Sequence, residues 1–253
     1  MKKKLLTIFT TIAFIFSSSM FIYEVWKGYN EESVFDALRQ PILNEVNDSN
    51  DDKVEKKEDL IIDQLLYYKE LYELNDDFIG WIKIDNTQID YPVMHTPDNE
   101  EYYLYRDFNK RNASSGTPFL DASNILGKDN QQYIIYSHNM RNGSMFKDLL
   151  NYKDVNFYKE NTSFNFNTKD IINQYIIYAA FEIDVLIGNG HYDFYNYTNL
   201  DNEDDFNNFV SKTKELSIYD TGITPKYGDN ILTLVTCENY TDSNRMVIIA
   251  IRK

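Results

Sequence analysis

A chain of 253 residues with 43% hydrophobic content is long enough for one ordinary domain plus an appendage, and apolar enough to build a core. The formal charge of −15 at pH 7 argues against a nucleic-acid partner, because a phosphate backbone would be repelled and no basic stripe follows the N-terminus. A single cysteine rules out an intramolecular disulfide, while 21 tyrosines, 16 phenylalanines and many β-branched runs lean toward a mainly β fold.

The chain opens with Lys2, Lys3 and Lys4 ahead of an apolar run from Leu5 to Trp26. That run is long enough to span a bilayer as a helix, with the lysines held on the cytoplasmic side and the body of the protein outside. The competing reading is a cleaved signal peptide, with Leu5–Phe16 as its h-region and Ser17-x-Ser19 as the small-residue site. Apolar residues resume at Met20-Phe21-Ile22 and favour the uncleaved anchor, and both readings export the domain.

From Asn44 to Asp59 the composition is polar and charged, which suits a solvated spacer. Ile61, Leu65, Tyr68 and Tyr72 then recur at helical spacing, so Asp59 to Leu74 is expected to be an amphipathic helix packed on the domain. The division expected is therefore 1–27 anchor or signal peptide, 28–75 polar spacer and amphipathic helix, and 76–253 the strand-rich domain.

Short strands are expected at Gly80–Ile84 and Gln88–Tyr91, with a turn at Asp85-Asn86 between them. Pro92 has no N–H to donate and belongs at a strand edge or end. Further strands are expected at Thr117–Asp121, Gln132–Tyr136, Asn173–Ile183, and on either side of a polar loop, from Ile231 to Cys237 and from Arg245 to Ile251. Asp201 to Ser217 interrupts them as a helix. Asp201 or Asn202 caps it, Glu203, Asp204 and Asp205 fill its first turn, and Phe206, Phe209, Val210 and Leu216 form its apolar face.

Of the three histidines, His191 falls in a Gly/Asn-rich loop and His95 in a similar surface position, whereas His138 closes an apolar strand as Cys237 does. No histidine pair has zinc spacing and the lone cysteine cannot complete a Cys-rich site, so neither a metal nor any other cofactor is expected. Cys237 is a nucleophile or a small structural hydrophobe. A thiol near pKa ~8.5 is only a small fraction thiolate at neutral pH and needs nearby positive charge, which Arg245 supplies permanently and His138 conditionally.

The chain resembles a class B sortase from about Asp76 to its end. The resemblance is carried by Gly80-Trp81-Ile82-Lys83-Ile84, Asp90-Tyr91-Pro92-Val93-Met94, Asp98-Asn99 with Tyr102-Tyr103-Leu104, Gly116–Asp121, and Tyr136–Met140 with Ser144-Met145-Phe146. It extends to Thr233-Leu234-Val235-Thr236-Cys237 with Arg245 downstream. Two departures are Ser137, where the family usually has glycine before the histidine, and Val235, where serine is common.

The resemblance implies a closed eight-stranded β-barrel with an N-terminal helix and an inserted helix before the cysteine strand. It implies a cysteine transpeptidase with Cys237 as nucleophile, His138 as acid–base and Arg245 as oxyanion and backbone support. Asp90, Met94, Tyr195, Thr236 and Glu238 would line the peptide groove. The partners implied are surface proteins bearing a C-terminal sorting signal, an amine on peptidoglycan or its lipid-linked precursor, and the membrane. Two other readings compete: an exported cysteine protease that passes the same acyl-enzyme to water, and a membrane-tethered binding domain with an inert thiol.

Overall fold

The computed structural model describes residues 2–47, 55–128, 130–184, 193–237 and 244–253. Eight strands close into one barrel: β1 (Phe78–Lys83), β2 (Asp90–Met94), β3 (Phe119–Leu120), β4 (Gln132–Ser137), β5 (Ser163–Thr168), β6 (Gln174–Asp184), β7 (Ile231–Cys237) and β8 (Asn244–Arg252). Their order around the barrel is β1-β2-β3-β4-β7-β8-β6-β5, with β5 returning to β1. Closure leaves no sheet edge exposed to a foreign strand.

The near-continuous apolar runs of β7 and β8 reflect burial on both faces. Leu232, Leu234, Met246, Ile248 and Ala250 fill the barrel interior with Ile82, Val93 and Ile135, while Val235, Val247 and Ile249 point into a second cluster. That cluster is covered by α4 (Glu203–Leu216), whose Phe206, Phe209 and Val210 are buried as the apolar face required. Asn202 caps α4 by accepting from the Asp204 N–H, with Glu203, Asp204 and Asp205 beside the positive end of the dipole.

Two helices precede the barrel. α1 (Lys2–Asn47) is one unbroken helix, and within Thr7–Arg39 it holds an 18-residue window apolar enough to cross a membrane. α2 (Glu55–Leu74) starts four residues earlier than the amphipathic pattern suggests. Its buried stripe is Tyr68 and Leu71 instead of Tyr68 and Tyr72, since Tyr72 remains 39% exposed. Tyr68 stacks on Trp81 at 6.3 Å, which fixes α2 against β1.

The residues of α1 from Val34 to Arg39 pack on the domain. Phe35 is fully buried and meets the Tyr91 ring edge-on at 5.3 Å, and Tyr67 donates to the Leu38 carbonyl. The polar spacer expected from Asn44 overlaps the end of α1 and the start of α2, and residues 48–54 between them lie outside the described residues.

Pro92 sits in the middle of β2, opposite Trp81. On its other side β2 meets β3 through Met94 alone, so a missing N–H at Pro92 breaks no ladder. β5 is an additional strand, reading Ser-Phe-Asn-Phe-Asn-Thr, whose alternation buries Phe164 and Phe166. The short helices Lys147–Lys153 and Val155–Glu160 lead into it.

Candidate active site

The site is assembled by strand register. β4 and β7 lie side by side in parallel, pairing Ile135 with Leu234, Tyr136 with Val235 and Ser137 with Thr236. Parallel neighbours leave a sheet at the same end, so the next residues, His138 and Cys237, emerge from adjacent strands at one rim. β8 returns antiparallel to β7 and places Arg245 directly opposite Cys237, with Ile183 of β6 opposite Arg245 on the far side. Residues from three strands therefore lie at the same end of three consecutive strands.

His138 is half-buried, and its Nε2 lies 2.9 Å from the Leu104 carbonyl oxygen. A carbonyl only accepts, so Nε2 carries the hydrogen in both protonation states and Nδ1 is the nitrogen that titrates. Burial holds the His138 pKa below its ordinary value of 6.5, and the Leu104 carbonyl opposes that shift. Tyr105 lies against the imidazole with ring centroids 5.4 Å apart and an interplanar angle of 42°, and it is 50% exposed. The loop that leaves His138 folds back on itself: Phe146 N–H donates to the His138 carbonyl and Asn139 bridges to Met145.

Arg245 is partly buried and its Nη1 donates to the Asn244 carbonyl at 3.1 Å. Thr236 has no exposed surface, and neither does Met94, which sits among Tyr68, Phe78, Tyr103 and Phe119. Met94 and Thr236 thus support the rim from beneath. Asp90 is held by Trp81 Nε1 at 2.6 Å and Lys83 Nζ at 3.1 Å, while its carbonyl accepts from Arg39 Nε. It borders a cavity of about 120 Å³ between the helices and β1/β5 that none of the three rim residues lines. Tyr195 is partly exposed and donates to Asp193 at 2.8 Å. Glu238 and His191 lie outside the described residues.

His95 departs from the surface position expected of it. It is 7% exposed, its pKa is lowered by burial, and its Nε2 has no hydrogen-bond partner. Its backbone N–H pairs with the Asp77 carbonyl, drawing the end of β2 inward. Ser137 is buried with its hydroxyl unpaired, and Val235 packs in the α4 cluster. Among the described residues no group of three or more His, Cys, Asp or Glu side chains is arranged to hold a metal.

A lone cysteine, a histidine and an arginine at neighbouring strand ends of one barrel are the residue types that thiol acyl transfer requires. The family model for the sortase domain matches residues 82–253, and the chain belongs to the sortase family as a cysteine transpeptidase of class B type. It is 29% identical to Sortase B of Listeria monocytogenes over 248 residues, spanning 97% of this chain and 94% of the relative. Sortase B of Staphylococcus aureus is 28% identical over 183 residues, 72% of each chain. Among solved structures, a Staphylococcus aureus sortase B–substrate complex superposes with a TM-score of 0.74 at 25% identity, covering 90% of this chain and 98% of that one. Clostridium perfringens sortase B superposes with a TM-score of 0.66 at 30% identity over 73% and 98% of the two chains. These relatives favour neither the hydrolytic protease nor the inert binding domain.

Proposed function

We propose that Cys237, His138 and Arg245 carry out the transpeptidation, cleaving a C-terminal sorting signal after its threonine and joining the surface protein to a peptidoglycan or lipid-linked amine. The observation that carries this reading is the register that puts all three residues on adjacent strand ends. The Cys237 thiolate attacks the threonine carbonyl carbon, and a C–S bond forms as the oxygen takes the negative charge. Arg245 and the backbone N–H of Glu238 stabilise that oxyanion. When the intermediate collapses, the C–N bond breaks and His138 gives the departing amine its Nδ1 proton.

The incoming amine reverses the sequence. It attacks the thioester, passes its proton to His138 Nδ1, and releases the thiolate. Water in place of the amine gives hydrolysis as a side reaction. Tyr195 and Glu238 are proposed to contact the peptide, with Met94 and Thr236 supporting the groove from beneath. In support of both substrates, two solved sortase B structures are a substrate complex and a complex with triglycine. The apolar part of α1 supports a single membrane pass with the N-terminus cytoplasmic and the barrel outside, which gives residues 1–27 as anchor, 28–75 as helical connection and 76–253 as catalytic domain.

The test is to incubate the protein with a sorting-signal peptide, with and without triglycine, and to examine Cys237 by mass spectrometry. A thioester on Cys237, peptide joined to triglycine, and no turnover in Cys237→Ala are expected. Product that stays hydrolytic across a wide range of amine concentrations would identify a protease, and unchanged function in Cys237→Ala an inert thiol.

A further inference from the structure

The Leu104 carbonyl that meets His138 is held by a neighbouring segment. Ala113 N–H donates to the Tyr105 carbonyl and Thr117 N–H to the Tyr103 carbonyl, so residues 113–117 clasp the chain on both sides of Leu104. Between these two bonds, Gly116 presses so close that a Cβ there would stand 2.4 Å from the Leu104 oxygen. Its φ of +62° is one that side-chain-bearing residues rarely adopt. The Tyr103 and Tyr105 carbonyls are thus occupied, and the Leu104 carbonyl is left directed at the imidazole.

This clasp is itself pinned by α1. The Glu31 carboxylate, whose side chain is 10% exposed, accepts from the Ser114 N–H at 2.9 Å, the Ser114 hydroxyl at 2.9 Å and the Ser115 N–H at 3.0 Å. One helical residue further on, Glu32 accepts from the Tyr91 hydroxyl at 3.3 Å, and that same hydroxyl accepts from Met145 N–H at 3.1 Å in the loop leaving His138. Gly28 faces Asn142 in that loop. One face of α1 therefore reaches both segments that fix the histidine.

We propose that the stretch of α1 just beyond its apolar run is a positioning element of the active site, in which Glu31 holds the 113–117 segment that aims the Leu104 carbonyl at His138. This rests on the reading of His138 as the acid–base group. Without the carboxylate, two backbone N–H groups lose their acceptor, the clasp loosens, and Nε2–H loses the partner that fixes tautomer and ring orientation. Glu31 touches no substrate. It acts on the chemical step through geometry, where a small misplacement costs about ten- to a hundredfold in rate.

The test uses the full chain in detergent or nanodiscs, with Glu31→Ala, Glu31→Gln and His138→Ala measured together below their melting temperatures. Glu31→Ala is expected to lower kcat at least tenfold with KM for the sorting peptide within twofold. In histidine-labelled protein, the two ring ¹⁵N shifts of His138 should move from a fixed Nε2–H tautomer toward a mixture. Glu31→Gln is isosteric and keeps one acceptor oxygen, so it should fold and lose severalfold in kcat. It carries the test if the alanine variant does not fold. A kcat within twofold of the parent in the variants that fold, or a drop in kcat with unchanged His138 shifts, would overturn the proposal. His138→Ala separates the two readings, because normal turnover there would sink the acid–base assignment itself.

Discussion

At the scale of single residues, Arg245, the buried His95 and the half-buried His138 make the sharpest demands. Arg245 lies opposite Cys237 in the β7–β8 register, and its guanidinium carries a planar fork of donors, whereas a lysine at the same place offers one flexible point charge. Arg245→Lys is therefore expected to keep the fold and lose at least about tenfold in kcat/KM toward a sorting peptide, a loss of more than ~1.4 kcal/mol in transition-state stabilisation. A near-parental rate would remove the guanidinium from the oxyanion role. His95 and His138 both have pKa values lowered by burial from 6.5, so the unfolded chain binds more protons than the folded one just below that value. Their contribution to stability is fully present above pH 6.5 and is lost as pH falls through the folded values. Urea unfolding between about pH 5 and pH 7 should show stability rising with pH, and His95→Gln should flatten that slope. An unchanged slope would mean that His95 titrates normally. His138 and Cys237 stand out in the sequence because each ends an apolar strand before a polar loop. Leu104 and Glu31 do not, since a backbone carbonyl has no sequence signature and a glutamate on a helix reads as solvated.

At the scale of elements, the strands with strong β-branched character, β4, β6, β7 and β8, are visible in the sequence to within a residue or two. Their periodicity is dictated by burial on both faces, so pattern and structure have the same cause. β2 is shifted toward its C-terminus because Pro92 needs only a one-sided ladder, and β3 shrinks to two residues that meet β2 through Met94 alone. β5 escapes detection because only two of its six residues are apolar, Phe164 and Phe166, among serine, asparagine and threonine. A glycine in β1 bears on how the seam between β1 and β5 closes. A Cβ on Gly80 would stand 2.4 Å from the Asn167 carbonyl oxygen and 2.9 Å from the Phe166 ring. Both belong to β5, and the backbone oxygen cannot swing aside. Gly80→Ala is expected to destabilise the barrel by about 1–3 kcal/mol, the usual range for overpacking, read as a lower urea midpoint. Because the strain lies at β1/β5, away from the β4/β7/β8 rim, kcat measured well below the melting temperature should stay within about twofold of the parent; a large kcat loss at full folding would mean that the seam and the rim are mechanically coupled.

At the scale of the whole molecule, the proposed single membrane pass together with α1 being one unbroken helix would give the barrel a fixed height above the bilayer. Trp26 ends the apolar run, Gly28 already faces the His138 loop, and Glu31 binds Ser114 and Ser115. At 1.5 Å per residue those contacts begin within about one helical turn of the membrane, so the proposed single-pass topology sets the rim at the lipid surface. A substrate that is itself anchored in the same bilayer would then reach the site without the domain having to bend. Inserting four alanines after Trp26 tests this without touching the docked residues or the Lys27–Glu31 pair. The insertion lengthens the helix by about 6 Å and turns the domain by about 40° relative to the anchor. Turnover of a soluble sorting peptide with triglycine should remain within about twofold of the parent, because the rim and its α1 contacts are intact. Transfer to an amine on a lipid-linked acceptor in the same vesicle should fall severalfold, the loss expected when tethered partners no longer meet at a matched span. Equal rates with both acceptors would show that the height of the rim is not used, and equal losses would show that the insertion had disturbed the site instead of moving it.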